Sequence, residues 1–536
     1  MNHLIKDKNK LLEISFFIKI MFFLVIMILA GNKMGYRYTG FCILEGLIIL
    51  FTVNCIKNKI GHYIVGFFGS LFLGVQVLIL IFGRTYLTLV MMTNLDSIED
   101  LSGNSVLYIS SAVILVLISA LPAKAPELKK KMSSSGILSW VLAAELILVM
   151  YIGNEYSPFY AYLDLIHQQK EQMALQKELE NIKASAGEFY KSSISNFRNK
   201  PDDLVEKPNV VILFTEGLSQ NIIDDERAIM PNVAEYQSKS LNFDGYFNHT
   251  FATYRGLIGQ LFSGYQLNNY DSNQFISLQD IFKEEGYNTT FINTEPNNAP
   301  FTAYLDRLDF ENLEGSAEEA NGPANSISDK ASYEKLLNLM EEKEQSNQPY
   351  LIAMYTLGTH ASFDSVDEVY GDGSDAELNK FYNLDYQFGK FMEEFEKSEM
   401  SKDTIVIFTT DHCTYADDAF YNSFPDYERV SWEVDEVPFF IYYQGIKAET
   451  IDANGRNSLD FAPTLCDYLD VSQENYFLGY SLFEIAENNT NYDTIFHQGE
   501  DYFSTRGGTV SSLSKAEKKI VKEGITRYYA ASRIAR

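Results

Sequence analysis

Four cysteines in 536 residues cannot build a disulfide framework. Cys42 and Cys55 fall in an apolar stretch, and Cys413 and Cys466 form at most one pair. Basic charge is short as well: 43 Lys+Arg stand against 72 Asp+Glu, a net charge of −29. A chain so acidic lacks the electrostatic footprint of a nucleic-acid binder, so nucleic acid is not an expected partner. Internal repeats and low-complexity tracts are missing too, which excludes solenoids and arrays. The shortage of basic residues is uneven. Residues 1–135 hold 13 Lys+Arg and 7 Asp+Glu, a balance of +6, which leaves −35 for residues 136–536.

Long hydrophobic runs are plentiful, but only before residue 156. They are Ile14–Ala30, Tyr38–Ile56, Tyr63–Gly83, Val106–Leu121 and Gly136–Ile152. Each is close to the roughly 20 residues that span a bilayer, the first and fourth being short. One cleavable leader does not account for five runs, so they predict a retained transmembrane domain over residues 1–156. Lys6, Lys8 and Lys10 precede the first run, Lys57 and Lys59 follow the second, and Lys124 and Lys129–Lys131 follow the fourth. The third connection carries Asp96, Glu99 and Asp100 with only Arg84. Basic loops stay inside, so the N-terminus is expected in the cytoplasm and everything after Tyr156 outside the plasma membrane. Lys33 and Arg37 in the first outer loop oppose this weakly. Charge is expected mainly in the gaps, with Glu145 as the exception, read as a shielded polar contact.

Residues 157–206 read as a juxtamembrane linker with a helix over Gln168–Ile182, and residues 207–536 as a second folded domain. In that domain, two β-branched runs dominate: Asn209-Val-Val-Ile-Leu-Phe-Thr-Glu216 and Thr404-Ile-Val-Ile-Phe-Thr-Thr-Asp-His412. Such runs suit strands buried on both faces of a parallel sheet. Further strands are expected at Asn288–Asn293, Pro349–Tyr355 and Val437–Tyr442, alternating with helices such as Leu278–Glu285. Glu314–Lys330 and Tyr370–Asp375 read as loops. The alternation predicts a doubly wound α/β domain with a largely parallel sheet. Ligands of such sheets bind beyond the carboxyl ends of the strands. Glu216, Asp411 and His412 are therefore expected to meet there, with ligand types that suit Mn²⁺ or Zn²⁺. The segment His249-Thr-Phe-Ala-Thr-Tyr-Arg-Gly…Ser263-Gly264 supplies a hydroxyl, Thr253, ahead of a helix-like stretch whose N-terminus favours phosphate.

Taken together, these segments resemble the alkaline phosphatase and sulfatase superfamily, and within it the lipoteichoic acid synthase-like phosphoglycerol transferases. Thr215-Glu216 and Thr410-Asp-His412 resemble the metal-ligand turns. Met230-Pro-Asn-Val233, Leu261-Phe-Ser-Gly264, Val437-Pro-Phe-Phe440, Ser458-Leu-Asp-Phe-Ala-Pro-Thr464 and Gly479-Tyr-Ser-Leu-Phe483 resemble later landmarks of that domain. The resemblance implies one divalent metal held by Glu216, Thr253, Asp411 and His412, with Mn²⁺ favoured and Zn²⁺ the alternative. It also implies Thr253 as nucleophile and His360 on the substrate side. Counting back from Ser263-Gly264 lands on Thr253 or Tyr254; threonine is preferred because the related transferases use it, with Thr250 third. Arg255 reads as a phosphate ligand or as a surface ion pair. His249 reads as structural, and His497 is open. The chain has no Cys-x-Pro-x-Arg or Ser-x-Pro-x-Arg, so the formylglycine of a true sulfatase is not expected.

The implied activity is transfer of a phosphoglycerol group from a phospholipid, phosphatidylglycerol, to a surface glycolipid, teichoic acid or polysaccharide through a threonine-linked intermediate. The stretch Asn293–Arg307 does not match the synthases' glycerophosphate pocket, which keeps a phosphoethanolamine transferase or a phosphodiesterase as alternatives. Outside the enzyme class, the alternative is an inactive sulfatase-like binding or sensor module.

Overall fold

The computed structural model describes residues 2–83, 86–87, 92, 105–121, 134–154, 156–181, 184–269, 271–346, 348–361, 363–484 and 492–534. The chain divides into two compact units, Met1–Glu178 and Leu179–Arg536. Of the charged residues that set the expected orientation, Arg84, Asp96, Glu99, Asp100, Lys124 and Lys129–Lys131 lie outside the described residues.

The first unit is helical: Asn2–Met34, Tyr36–Cys55, Lys59–Gly83, Ser105–Ser119, Ser134–Ile152 and Pro158–Asn181. Among the described residues, four helices are long and apolar enough to cross a membrane, within Glu13–Asn32, Tyr36–Cys55, Lys59–Phe82 and Ser134–Ile152. The expected fourth span is an apolar helix, Leu107–Ser119, that is shorter than the others. Large apolar side chains such as Phe17, Leu117, Met150 and Tyr151 face outward, as a lipid solvent allows. Charge is not confined to the gaps. Lys19 is buried and donates to the Ser119 carbonyl at 2.9 Å and the Gly66 carbonyl at 3.3 Å. Glu45 is fully buried and accepts from Ser157 Oγ at 2.5 Å and from the Phe159 amide at 3.0 Å, which caps the helix Pro158–Asn181. Glu145 is buried, the shielded placement expected of it.

The second unit is built on an eight-stranded sheet. Its strands are β1 (Asn209–Thr215), β2 (Leu241–Asp244), β3 (Asn288–Ile292), β4 (Asn312–Glu314), β5 (Tyr350–Thr356), β6 (Thr404–Thr410), β7 (Phe439–Tyr442) and β8 (Glu449–Asp452). Their order is β4-β3-β5-β1-β6-β7-β2-β8. β7 pairs antiparallel with both β6 and β2, and every other pairing is parallel. The expected strand at Val437–Tyr442 thus exists but runs against its neighbours. In the central strands, successive side chains enter opposite cores. Val210, Ile212 and Phe214 join Ile405, Ile407, Leu351 and Ala353 on one face. Val211 and Leu213 join Val406, Phe408, Ile352 and Met354 on the other. Two-sided burial is why these strands read as unbroken apolar runs.

A smaller antiparallel sheet follows: β9 (Ile495–Gln498), β10 (Asp501–Ser504) and β11 (Ser511–Ser512). The helix Lys515–Ser532 starts at a Ser514/Glu517 capping box. It packs Val521, Ile525 and Tyr528 into a separate core with Tyr265, Phe275 and Ile495. Cys413 and Cys466 are buried free thiols, so the possible outer disulfide is not formed. Cys413 Sγ turns to the Glu433 carbonyl at 3.2 Å.

Candidate metal centre

Register builds the centre. Thr215 lies opposite Thr356 on β5 and opposite Thr410 on β6. Three adjacent strands therefore end level, and the residues just past each end converge: Glu216, Thr359-His360 and Asp411-His412. Further hydrogen bonds lock the tips. Thr410 Oγ1 donates to the Thr215 carbonyl at 2.7 Å, and Thr359 Oγ1 to the Glu216 carbonyl at 2.5 Å. Gly217, with φ +43°, turns the chain beneath the His412 ring, where a Cβ would stand 3.3 Å from Cε1.

Glu216, Asp411 and His412 are all buried, and one ligand atom of each lies within 4.8 Å of the others. His412 Nε2 is 3.5 Å from Glu216 Oε1 and 3.4 Å from Asp411 Oδ2. His412 Nδ1 faces the Cys413 carbonyl at 2.7 Å, which assigns the ring proton to Nδ1 and leaves the Nε2 lone pair aimed at the carboxylates. Asp411 Oδ1 accepts from the Gly217 amide at 2.9 Å and the His412 amide at 2.7 Å. Asp411 Oδ2 is buried and accepts no well-formed hydrogen bond among the described residues, although the Thr253 hydroxyl lies close enough to act on this carboxyl. An unpaired buried carboxylate oxygen costs on the order of 1–3 kcal/mol or more. A divalent cation between these atoms removes that cost, so the donor set fits one.

Electrostatics agree. Burial, then the neighbouring Glu216 charge, push the Asp411 carboxyl well above its ordinary range. Burial opposes ionisation of Glu216 too, but His412, His360 and the hydroxyls of Tyr355 and Thr253 hold its carboxyl below the usual value. Two buried carboxyls this close resist ionising together, and a cation placed between them would favour the ionised form of both.

Thr253 opens the helix Thr253–Phe262, and its Oγ1 donates to Glu216 Oε2 at 3.0 Å. Tyr355 OH donates to the same oxygen and lies 3.5 Å from Thr253 Oγ1. Ala252, immediately before Thr253, sits at φ +75°, strained for a residue with a Cβ. Gly256 packs against the Asp411 backbone so closely that a Cβ would meet its carbonyl oxygen at 2.2 Å. The rival hydroxyls are turned elsewhere. Tyr254 packs against Phe301 and Tyr304, and Thr250 Oγ1 donates to the His497 carbonyl at 2.8 Å.

His360 is half-buried, its Nδ1 3.0 Å from the Ala361 carbonyl. Arg255 is half-buried and makes no ion pair with a carboxylate among the described residues. Its Nε donates to Asn269 Oδ1 at 3.0 Å and its Nη1 to Gln498 Oε1 at 2.9 Å. His249 contacts Ser458 Oγ at 2.6 Å through Nδ1 and presses on Gly259, a packed role; burial holds its pKa down to about 3. His497 stacks on Tyr502 at 4.3 Å, and its pKa is likewise lowered by burial to about 3. Sequence reasoning missed Tyr355 and Gln498. Tyr355 was legible as an inward position of β5 only once its register with Thr215 was known.

A largely parallel sheet carries Glu, Asp and His beyond its central strand ends. Residues 208–471, just under half of the chain, match the family model described as Sulfatase. The fold is that of a protein in the alkaline phosphatase superfamily from Vibrio parahaemolyticus. That likeness has a TM-score of 0.50 at 18% identity over 63% of this chain and 88% of the other. The lipoteichoic acid synthase LtaP from Listeria monocytogenes aligns with a TM-score of 0.49 at 18% identity, over 63% of this chain and 93% of its own. The integral membrane lipooligosaccharide phosphoethanolamine transferase A (EptA) from Neisseria meningitidis aligns at 0.49 and 13% identity, over 80% and 87%. No curated protein matches the chain in sequence.

Proposed function

We propose that this chain is a membrane-anchored phosphoglycerol transferase acting on the outer face of the plasma membrane, moving the group from phosphatidylglycerol to a surface glycolipid, teichoic acid or polysaccharide. One observation carries the reading: the Thr253 hydroxyl is hydrogen-bonded at 3.0 Å to Glu216, beside an Asp411 oxygen with no hydrogen bond among the described residues. Glu216, Asp411, His412 and Thr253 would hold one divalent ion. Their oxygen-rich set favours Mn²⁺, with Zn²⁺ the alternative. Such an ion supplies positive charge that lowers the pKa of a nearby hydroxyl and offsets charge on a phosphate.

The residues do the rest. Thr253 Oγ forms a bond to phosphorus, and the bond from phosphorus to the diacylglycerol oxygen breaks, that oxygen leaving with the threonine proton. An acceptor hydroxyl then forms the new phosphorus–oxygen bond, the bond to Thr253 breaks, and Thr253 regains a proton. Glu216 and Tyr355 orient the hydroxyl, and the N-terminus of the helix Thr253–Phe262 faces the phosphate with positive potential. Arg255 and His360 receive its oxygens. A threonine in place of a formylglycine precursor favours transfer of a phosphate ester over sulfate hydrolysis. Four membrane-length helices suit a lipid donor, whose acyl chains resist leaving the bilayer by about 0.8 kcal/mol per methylene.

The test is to incubate the full chain in detergent with Mn²⁺ and labelled phosphatidylglycerol and weigh the peptide containing Thr253. A glycerophosphate adduct at Thr253, absent in Thr253→Ala, is expected. An adduct formed only with phosphatidylethanolamine would move the chain to the ethanolamine transferases. Undiminished turnover by Thr253→Ala would overturn the mechanism.

A further inference from the structure

The matched sulfatase region ends at residue 471, yet the turn that carries Thr253 is tied to residues beyond it. The His497 amide donates to the His249 carbonyl at 2.9 Å, and Thr250 Oγ1 donates to the His497 carbonyl at 2.8 Å. The buried Gln498 side chain at the end of β9 adds two more links through a single atom. Its Oε1 accepts from Thr250 Oγ1 at 3.2 Å and from Arg255 Nη1 at 2.9 Å, on either side of Thr253. Arginine only donates, so the amide must present its oxygen to it. Asn269 Oδ1 holds Arg255 Nε at 3.0 Å in the same manner.

Both partners of Arg255 are therefore neutral. Buried guanidinium groups ordinarily meet carboxylates, as Arg429 meets Asp435 at 2.8 Å and Arg456 meets Asp460 at 2.6 Å in this unit. Arg255 instead has no carboxylate paired with it among the described residues, and none of them accepts from its Nη2. Glu433, an acid whose charge bears on Arg255, is pushed up to about 8 by burial and then by Asp501, and among the described residues it forms no ion pair with Arg255.

We infer that Gln498, with Asn269, is a positioning residue that aims an uncompensated Arg255 at a phosphate oxygen beside Thr253, so that β9, outside the matched region, completes the anion subsite. The inference rests on the phosphate-transfer reading of this centre, and phosphate binding tests it without requiring turnover.

Binding of inorganic phosphate to the full, Mn²⁺-loaded chain is measured by titration calorimetry, with bound manganese per chain counted in parallel. Arg255→Gln is expected to raise the phosphate Kd at least tenfold. Gln498→Glu keeps an acceptor but adds a countercharge, and is expected to match that loss; Asn269→Asp is expected to follow by about fivefold. Gln498→Ala keeps the charge and loses the tether, with about threefold expected. Manganese content stays at the wild-type level throughout, which a general collapse of the site would not allow. If Arg255→Gln weakens phosphate while Gln498→Glu and Asn269→Asp stay within twofold of wild type, the positioning role is wrong and the Arg255 receptor survives. If Arg255→Gln also stays within twofold, both fall.

Discussion

Two buried aspartates of the second unit face similar surroundings and end differently. Asp385, on the helix Ala376–Lys397, lies at the foot of the helix Pro231–Lys239. Its Oδ1 accepts from the Val233 amide at 2.7 Å, and its Oδ2 from the Asn232 amide at 3.2 Å and Asn232 Nδ2 at 2.7 Å. Both oxygens are committed to holding a helix start in place. Asp411, past the end of β6, spends one oxygen on backbone amides in the same way, and among the described residues no group donates a well-formed hydrogen bond to the other. A buried carboxylate with all its lone pairs answered is architecture. One with an oxygen held back in a closed, acidic cluster is a candidate metal ligand.

That contrast can be broken by experiment. The largest effect is expected from Thr253→Ala, which removes the hydroxyl and leaves the carboxylates: turnover falls by about 10³-fold or more while metal content persists. Asp411→Ala is next. Metal affinity is expected to drop on the order of 100-fold, measured by metal content after dialysis, with activity following. Asp385→Ala is the reverse case. It orphans three donors and is expected to lower unfolding free energy by about 2–4 kcal/mol in a denaturant titration, while metal binding by the folded protein is kept. Gly256→Ala forces a Cβ onto the Asp411 carbonyl. It is expected to cost about 1–3 kcal/mol and to weaken metal binding too, since the displaced backbone carries the proposed ligand Asp411.

The smallest effect is a pH slope. Burial raises the Asp385 carboxyl from 3.8 to about 6. The folded state thus binds this proton more tightly than the unfolded one between those values. Its contribution to stability is fully present below about 4 and is lost as pH rises through about 6. Asp385→Asn should flatten that part of the stability–pH profile. An unchanged slope would show that other groups set it.

The strands that matter most were legible in the sequence because two-sided burial leaves a compositional mark: β1 and β6 are unbroken apolar, β-branched runs ending in acid and imidazole. Strand direction leaves none, which is why Val437–Tyr442 read as one more parallel strand. β2, β4 and β8 are three or four residues long and partly polar, below the length at which alternation shows. The helix Ala376–Lys397 carried a clear signal that went unread, with Leu378, Phe381, Leu384, Phe388, Phe391 and Phe395 on one face. The register of the proposed nucleophile turn depended on where a helix begins and on which hydroxyl the packing of Phe301 and Tyr304 captures, both tertiary matters. Gln498 had no local signature at all; its meaning comes from a partner 243 residues earlier.

The level ending of β5, β1 and β6 also dates the centre in the life of the chain. Glu216 and Thr253 are synthesised early, but Asp411 reaches Gly217 across 194 residues of sequence. Contacts that distant in sequence form slowly, after local structure. A ribosome must therefore deliver the chain past residue 412, and β6 must find β1, before the proposed ion site exists. Until then the Thr253 hydroxyl lacks the setting proposed to activate it, so on this reading the growing polypeptide passes through biosynthesis chemically silent.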